Sequence, residues 1–368
     1  MVNAAGSFPP LWTVAHILPE DANAQAKWSA IKDSVPPIDT KPAAGETFDA
    51  AAYPPDDPDC WWTATKCTKP KVANVPEDIY VVPEPRTLGY GFDDGPNCTH
   101  NAFYDYLKKE NQKATMFFIG SNVMDWPLEA QRAVKDGHEV CVHGWSHQAM
   151  TSLPSEDVFA ELYYTQRSCF LAMQSIKIAA GVTCTCWRPP YGDVDDRVRA
   201  IAHGLGLRNV LWNTDSEDWQ VGSTPNYTPE LVDAQYQGLI DDCNKGVYDQ
   251  EGAMLLMHEL NDFTMSTAMK WHGKLKATFK SIVPVCVANN ITQPYVEKDI
   301  KFPTFEEYIK PANKLATNVT RTSTTTTATG ATKSPTPTTR QTANTRRNAW
   351  AADMKAVLFI GIGLVFAI

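Results

Sequence analysis

The sequence predicts an α/β fold built on parallel strands. From Arg86 onward, short apolar runs alternate with amphipathic helical patterns, and polar residues follow most of the apolar runs. This alternation requires crossover helices between parallel strands, which indicates an α/β barrel or a doubly wound sheet. The length of 368 residues accommodates one large domain with a full core, together with tails.

Six apolar runs are the predicted strands, and one helical pattern separates each successive pair. The strand runs are RTLGYGF, KATMFFIG, HEVCVH, CTCWR, NVLWNTD and AMLLMH. The helical patterns are HNAFYDYLKKE, PLEAQRAVKDG, PSEDVFAELYYTQRSCFLAMQ, DVDDRVRAIAHGLG and TPELVDAQYQGLIDDC. The third pattern begins with Pro154 followed by polar and acidic residues, which is typical of a helix start.

Four segments are distinguished by composition. Residues 1–75, rich in Pro, Ala and Asp, predict an irregular extension that wraps the body or is partly disordered. In this extension a disulfide can close a small loop around two adjacent tryptophans, which we expect to pack rather than to stack on a sugar; the four residues are Cys60, Trp61, Trp62 and Cys67. Residues 76–300 form the predicted body, residues 301–347 a disordered stalk, and residues 348–368 a C-terminal signal.

The C-terminus ends in an uncharged apolar run of 13 residues, 356–368. A spanning helix needs about 20 such residues, so this run is too short to cross a bilayer. Small residues near Asn344 and Asn348 and a Ser/Thr/Pro-rich stalk precede it, an order that predicts a removable GPI-anchor signal, with a frayed hydrophobic end as the alternative. Since the N-terminus lacks the features of a signal peptide, we expect the natural chain to begin upstream.

Charge and cysteine content limit the possible partners and compartment. The net charge is −9, and removing the seven bases of the acid-free stretch 308–352 leaves −16 for the remainder. So acidic a body argues against nucleic acid as a partner and favours a neutral or cationic polymer. Nine cysteines without a CxxC pair predict scattered disulfides in an oxidising compartment. Four glycosylation sequons agree, at Asn97, Asn226, Asn290 and Asn318.

Chemically capable side chains stand where five of the predicted strands end. They are Asp93, Asp94, His143, Arg188, Asp215 and His258. In a parallel barrel these ends gather on one face, where barrel enzymes build their active sites.

The segment HGWSH places His143 and His147 four residues apart. If the chain coils after the strand, both imidazoles share a face and can bind one metal ion. The segment lacks the Glu of an HExxH motif, so a carboxylate from elsewhere is needed as third ligand, and the Asp93–Asp94 pair offers it.

Five motifs, FDDGP, HGWSH, RPPYG, DSEDW and LLMH, occur in this order. The set resembles the motifs of the polysaccharide deacetylases of carbohydrate esterase family four, and within them the fungal chitin deacetylases, over roughly residues 85–260. The resemblance implies a distorted (β/α) barrel and metal-dependent hydrolysis of N-acetyl groups in chitin or N-acetylglucosamine oligomers, giving chitosan and acetate. It also implies a secreted protein of the cell wall and plasma membrane, which we expect to be a GPI-anchored monomer.

The resemblance assigns a metal site and two proton carriers. Asp94, His143 and His147 correspond to the ligands of a divalent metal, which we expect to be Zn2+, with Co2+ as an alternative. Asp93 corresponds to the general base and His258 to the general acid that protonates the leaving amine.

Further roles come from the same resemblance. Arg188 is expected to orient Asp93 and to pair with Asp218. The backbone N–H of Tyr191 is expected to bind the oxyanion, and Trp219 and Leu256 to form an apolar pocket for the acetyl methyl group. Three positions depart from the family pattern, and none of them removes a ligand or a proton carrier: Gly91, Cys141 and Gly144.

Three alternatives remain open. Two histidines and one carboxylate also describe non-haem Fe(II) oxygenases, but there Asp93 and His258 have no obvious task. A wall glycoprotein that binds chitin without hydrolysing it is free to lose those two residues, which this sequence keeps. An acetylated xylan or peptidoglycan would use the same motifs as chitin.

Overall fold

The computed structural model describes residues 7–42, 53–174 and 181–310, and within these ranges eight strands join one sheet. The strands are β1 (Thr87–Gly95), β2 (Thr115–Phe118), β3 (Glu139–Val142), β4 (Cys186–Trp187), β5 (Arg208–Asn209), β6 (Thr214–Asp215), β7 (Ala253–Leu256) and β8 (Ser281–Val283). Their order is β5-β4-β3-β2-β1-β7-β6, with β8 also paired to β1. Every pairing between these strands is parallel, so the carboxyl ends of the strands lie on one face of the curled sheet.

Helices connect the strands and cover the outside of the curled sheet. They are α1 (Ala22–Ile31), α2 (Trp62–Thr65), α3 (Asn101–Lys109), α4 (Gly120–Asp125), α5 (Pro127–Lys135), α6 (Ser155–Gln174), α7 (Asp196–Gly204), α8 (Pro229–Asn244), α9 (Asp262–Thr278), α10 (Val285–Ala288) and α11 (Phe305–Ile309). The alternation of strands and helices predicted from the sequence is confirmed, and all five predicted helices are present.

Two details of the predicted order are wrong. The run NVLWNTD is not one strand, because β5 ends at Asn209 and β6 begins at Thr214. Helix α9 and strand β8 are absent from the prediction. For α9 a signal exists, since Asn261 and Thr264 form a capping box, and the buried Met265, Ala268, His272 and Leu275 follow helical spacing.

The side chains of β1 alternate between two buried layers. Leu88, Tyr90 and Phe92 belong to the large cluster between sheet and helices. The intervening Gly89 and Gly91 face the inner cluster of the curled sheet, where an added Cβ at Gly91 would lie 3.1 Å from the Phe117 ring. Gly91, where the family commonly has Thr or Ser, therefore leaves room for an aromatic ring in the inner layer.

The described part of the N-terminal extension packs on the body. It contains the ten-residue helix α1, which is not predicted from the sequence. Trp28 of α1 packs on Phe159 of α6, with ring centroids 5.4 Å apart. Trp61 and Trp62 are 2% and 6% exposed, so the expectation that they pack is confirmed.

Two disulfides are present. Cys60–Cys67 closes the expected loop, and Cys141–Cys186 joins β3 to β4. The remaining five cysteines, all in described segments, are free. The departure at Cys141 thus supplies a covalent link between two strands whose ends carry site residues.

The predicted stalk and anchor signal lie almost wholly outside the described residues. Only residues 301–310 of the stalk are described, and they contain α11. Across the described ranges, no helix combines the length and the apolar character needed to span a membrane.

Candidate active site

The two aspartates at the end of β1 point into the same space. The register of β1 against β2 is irregular between Asp93 and Gly95, and Asp94 has a φ of 76°. A plain extended strand would send these two neighbouring side chains to opposite faces. Oδ2 of Asp93 lies 3.7 Å and Oδ1 of Asp94 3.5 Å from Nε2 of His143, so both carboxylates reach one imidazole.

The histidines of HGWSH converge without forming a helical turn. The segment is irregular, and a φ of 58° at His147 brings its ring centroid to 5.0 Å from that of His143. Nδ1 of His143 donates to the carbonyl oxygen of Arg188 at 2.8 Å. Because a carbonyl can only accept, the lone pair of this imidazole lies on Nε2, which faces Asp94.

Asp94, His143 and His147 fit a divalent metal ion. Their ligand atoms lie within 4.8 Å of one another, and Nε2 of His147 is 3.2 Å from Oδ1 of Asp94. That oxygen is buried and has no hydrogen-bond partner among the described residues. Burial opposes its ionisation, but the two imidazoles hold the pKa of Asp94 well below its usual range. Two imidazole nitrogens and one carboxylate oxygen, with positions left open, suit a catalytic zinc site.

Other groups of candidate metal ligands in the described residues contain paired cysteines. The two groups are Asp57, Cys60 and Cys67, and Glu139, Cys141 and Cys186. The cysteines in both groups form disulfides, so their sulfur atoms are not available as thiolates.

A buried glutamate holds the HGWSH loop. Oε2 of Glu161, on α6, accepts the N–H groups of Trp145 at 2.7 Å and Ser146 at 2.8 Å. Its Oε1 accepts the Ser146 hydroxyl at 2.7 Å and the N–H of Ala15 at 2.9 Å. The motifs do not predict this role, although Glu161 stands on the apolar face of a predicted helix, where an acid needs a partner.

Arg188 orients the predicted base. It is fully buried, its Nη1 donates to Oδ1 of Asp93 at 2.8 Å, and its guanidinium lies 4.0 Å from the centroid of the Phe117 ring. The expected pairing of Arg188 with Asp218 is wrong, because both carboxylate oxygens of Asp218 bond His258 instead. Such partners depend on how β4 and β7 are placed in space, which the motifs do not encode.

Asp218 and His258 form a buried pair. Nδ1 of His258 donates to Oδ1 of Asp218 at 2.6 Å, and the backbone N–H of His258 donates to Oδ2 at 3.1 Å. Burial by itself lowers the pKa of His258, but the charge and hydrogen bond of Asp218, followed by Asp94 and Asp93, raise it to about 10. A divalent cation beside Asp94 would lower this value, since like charges disfavour each other.

The predicted substrate-contacting residues lie around this centre. Tyr191 has a φ of 60° and is 55% exposed, and its hydroxyl is 3.2 Å from Nδ1 of His147. Trp219 is 40% exposed and follows Asp218 in a single 3-10 turn, whereas Leu256 is 4% exposed at the end of β7. Two of the three therefore expose side chains to solvent.

Asp215 is a further carboxylate beside the centre. It pairs with Leu256 in the β6–β7 register. Burial raises its pKa to about 6, although the N–H of Glu217, at 2.7 Å from Oδ1, and the charge of His258 oppose the shift.

A second buried network lies beside the aspartate pair. Glu259 follows His258 in the chain, and its N–H donates to the carbonyl of Asp93 at 2.7 Å. Its carboxylate accepts hydrogen bonds from Nδ1 of His100 at 2.8 Å and from the hydroxyl of Tyr104 at 3.0 Å. His100 matches no functional motif position, and its 2% exposure supports a structural role that fixes α3 to the end of β7.

Comparison with known proteins agrees with this geometry. Residues 81–210 match the family model described as polysaccharide deacetylase. The chain is 49% identical to chitin deacetylase 2 of Cryptococcus neoformans var. grubii, over 86% of this chain and 69% of that protein. It is 44% identical to chitin deacetylase of Amylomyces rouxii, over 80% of this chain and 68% of that protein.

The chain belongs to the polysaccharide deacetylase family. The resemblance drawn from the five motifs is therefore confirmed. Polysaccharide deacetylases of this type are hydrolases that use a divalent metal ion, and the convergence of Asp94, His143 and His147 provides the residues to hold one.

The polysaccharide deacetylase fold is also found by comparison with solved structures. The chitin deacetylase from the fungal pathogen Colletotrichum lindemuthianum aligns with a TM-score of 0.50 at 23% identity, covering 59% of this chain and 92% of that chain. The predicted distorted (β/α) barrel is thereby confirmed.

Proposed function

We propose that this protein hydrolyses the N-acetyl groups of N-acetylglucosamine units in chitin, releasing acetate and leaving chitosan. One observation carries the proposal: Asp94, His143 and His147 converge in a group that can hold a metal ion, and the same strand ends carry a buried carboxylate bonded to Arg188 and a buried imidazole bonded to Asp218. The relatives named chitin deacetylase, at 44% and 49% identity, support chitin as the polymer.

Asp94, His143 and His147 would hold the ion, and we propose Zn2+. When bound, the ion supplies Lewis-acid chemistry, which lowers the pKa of water towards about 7 and polarises the amide carbonyl. The Arg188 carbonyl accepts a hydrogen bond from Nδ1 of His143, which leaves Nε2 as the nitrogen that would bind the ion.

Asp93 acts as the general base. Arg188 occupies Oδ1, so Oδ2, which lies towards His143, is the oxygen that accepts the proton of the attacking water. Because Asp93 is 2% exposed and Arg188 fully buried, the carboxylate keeps one orientation while the proton moves.

His258 acts as the general acid. Its Nδ1 proton is committed to Asp218, which makes Nε2 the atom that delivers a proton to the departing nitrogen. An amine leaves poorly unless it is protonated, and Asp218 stabilises the imidazolium that must be present before the transfer.

The remaining residues position the acetamide. The backbone N–H of Tyr191 donates to the oxyanion that develops at the carbonyl. Trp219 and Leu256 line the place of the acetyl methyl group, which has no hydrogen bond to make and prefers an apolar wall.

We also propose that the protein acts outside the cell as a monomer, held at the plasma membrane by a GPI anchor. The support is the order of the C-terminal sequence, a Ser/Thr/Pro-rich stalk, small residues and an apolar end, together with the two disulfides, one in the N-terminal extension and one in the body.

The proposal is tested by acetate release from N-acetylglucosamine oligomers with the full chain. Acetate is measured before metal stripping, after stripping with a chelator, and after Zn2+ or Co2+ is added back. We expect release that disappears on stripping and returns with metal. A folded, metal-loaded protein that releases no acetate from chitin oligomers, acetylated xylan or peptidoglycan would overturn it.

A further inference from the structure

A disulfide-closed loop of the N-terminal extension packs against the turn that carries Tyr191. This loop, residues 60–67, is called the disulfide loop below, and it precedes the residues matched by the family model, 81–210. The backbone N–H of Trp62 donates to the carbonyl of Val194 at 3.0 Å. The loop is thus joined through its backbone to the segment that follows RPPYG.

Asp193 ties the disulfide loop to the same turn through side chains. Its Oδ1 accepts the indole N–H of Trp61 at 2.8 Å and the hydroxyl of Thr63 at 2.7 Å. Its Oδ2 accepts the N–H and the hydroxyl of Thr151 at 2.8 and 2.7 Å. Asp193 is 4% exposed, so its carboxylate is shielded from water, and its four bonds join three separate segments two residues after Tyr191.

The ring of Trp62 packs against one side of the turn that carries Tyr191. A Cβ at Gly192 would overlap this ring, so the indole lies directly against the backbone of the turn. The ring also meets Trp212 edge-on, with centroids 4.7 Å apart, and the Arg188 guanidinium lies 5.7 Å from the Trp212 ring. Trp62 therefore touches the turn and the aromatic wall beside Arg188.

The turn needs such support because of its backbone conformation. Tyr191 has a φ of 60° and Gly192 a φ of 68°, two successive residues in the left-handed region. A residue with a side chain stays there only where its surroundings hold it. Tyr191 is 55% exposed and its side chain contacts His147, whereas the backbone of the turn is covered by the Trp62 ring.

We propose that the disulfide loop holds the Tyr191 turn in the conformation that aims the Tyr191 N–H at the oxyanion, with Trp62 as the main positioning residue. This inference rests on the proposed function, in which that N–H stabilises the transition state. An oxyanion donor is effective only when its position is fixed beforehand, and a displacement of about 1 Å can cost on the order of a hundredfold in rate. The N-terminal extension is then part of the catalytic apparatus rather than a cover for the barrel.

The test compares Trp62→Ala, Trp62→Phe and Trp28→Ala in the full, zinc-loaded chain, with acetate release from a chitin oligomer as the assay. Trp62→Ala should lower kcat at least about tenfold with KM changed by less than about twofold, because an interaction realised only in the transition state is weakened. Trp62→Phe should recover most of the loss. Trp28→Ala removes a half-buried ring of the same extension away from the turn, and it should leave kcat unchanged.

Equal kcat values for Trp62→Ala and the unsubstituted enzyme would overturn the inference, as would a rise in KM alone. Should Trp62→Ala fail to fold, the variant Cys60→Ser/Cys67→Ser opens the disulfide loop while keeping the ring, and unchanged kcat there would overturn it instead. Failure of the proposed function gives a different result, since the unsubstituted enzyme itself would then release no acetate.

Discussion

Oδ1 of Asp218 lies 2.6 Å from Nδ1 of His258, while Oδ1 of Asp93 lies 2.8 Å from Nη1 of Arg188. The first contact raises the pKa of an imidazole, and the second holds a carboxylate in one orientation. The two proton carriers thus have separate partners, whereas the family resemblance implies that Arg188 pairs with Asp218 as well as with Asp93. This separation means that acid and base can be perturbed independently.

Asp218→Asn is expected to move the alkaline limb of the pH–kcat profile to lower pH. His258 must be protonated to act as an acid, so activity is present below its pKa and is lost as pH rises through it. Asp218 is the largest factor that raises this pKa, and the neutral amide removes its charge. A displacement of roughly one pH unit or more is expected, because each unit corresponds to only about 1.4 kcal/mol of interaction. The measurement is kcat against pH for both zinc-loaded proteins. An unmoved limb would contradict the assignment.

Asp93→Asn and His147→Ala are expected to separate turnover from metal binding. Asp93→Asn keeps all three proposed ligands but removes the proton acceptor, so metal content should stay near one ion per chain while kcat falls about 10²–10⁴-fold. His147→Ala removes a ligand and should lose both. Metal analysis of the purified proteins beside acetate release checks this division, and loss of metal from Asp93→Asn would assign Asp93 to the ligands.

The sequence predicts the strand ends well because the signal there is local. Apolar runs end at Asp93, His143 and His258, and parallel pairing brings these ends to one face without further information. The backbone conformation at Asp94 is not a local signal of this type, because its φ of 76° accompanies an irregular register between β1 and β2. The plain alternation of a strand gives no sign of it.

Contacts between distant segments account for most of what the sequence leaves out. Asp218 lies 40 residues from His258 and Glu161 lies 146 residues from Ala15. From the sequence alone, either acid could bond several basic or donor groups, and only the folded barrel determines which partner it contacts. Glu161 is the exception that carries a signal, because an acid on the apolar face of a helix must be buried with a partner.

Glu161→Gln is expected to weaken metal affinity about 10–100-fold, the range seen when groups that orient ligands are removed. Both carboxylate oxygens accept backbone N–H groups, so either orientation of the amide turns its NH2 towards a donor. The loop between His143 and His147 then loses its anchor. Metal affinity is measured by competition with a chelating dye. Glu156→Gln, an exposed position on the same helix, is the matched control and should bind metal normally.

Cys141→Ser/Cys186→Ser is expected to reduce stability while largely sparing turnover. The disulfide closes a loop with a sequence separation of 45, and its loss should lower the free energy of unfolding by about 2–4 kcal/mol. The strand ends stay joined without it, because the N–H of Arg188 donates to the carbonyl of Val142 at 2.9 Å and Nδ1 of His143 donates to the carbonyl of Arg188. Denaturant unfolding gives the stability, and acetate release is measured under conditions below the unfolding transition. The control is Cys98→Ser, which replaces an exposed, unpaired cysteine. A large loss of turnover at unchanged stability would show instead that the disulfide sets the geometry of the metal site.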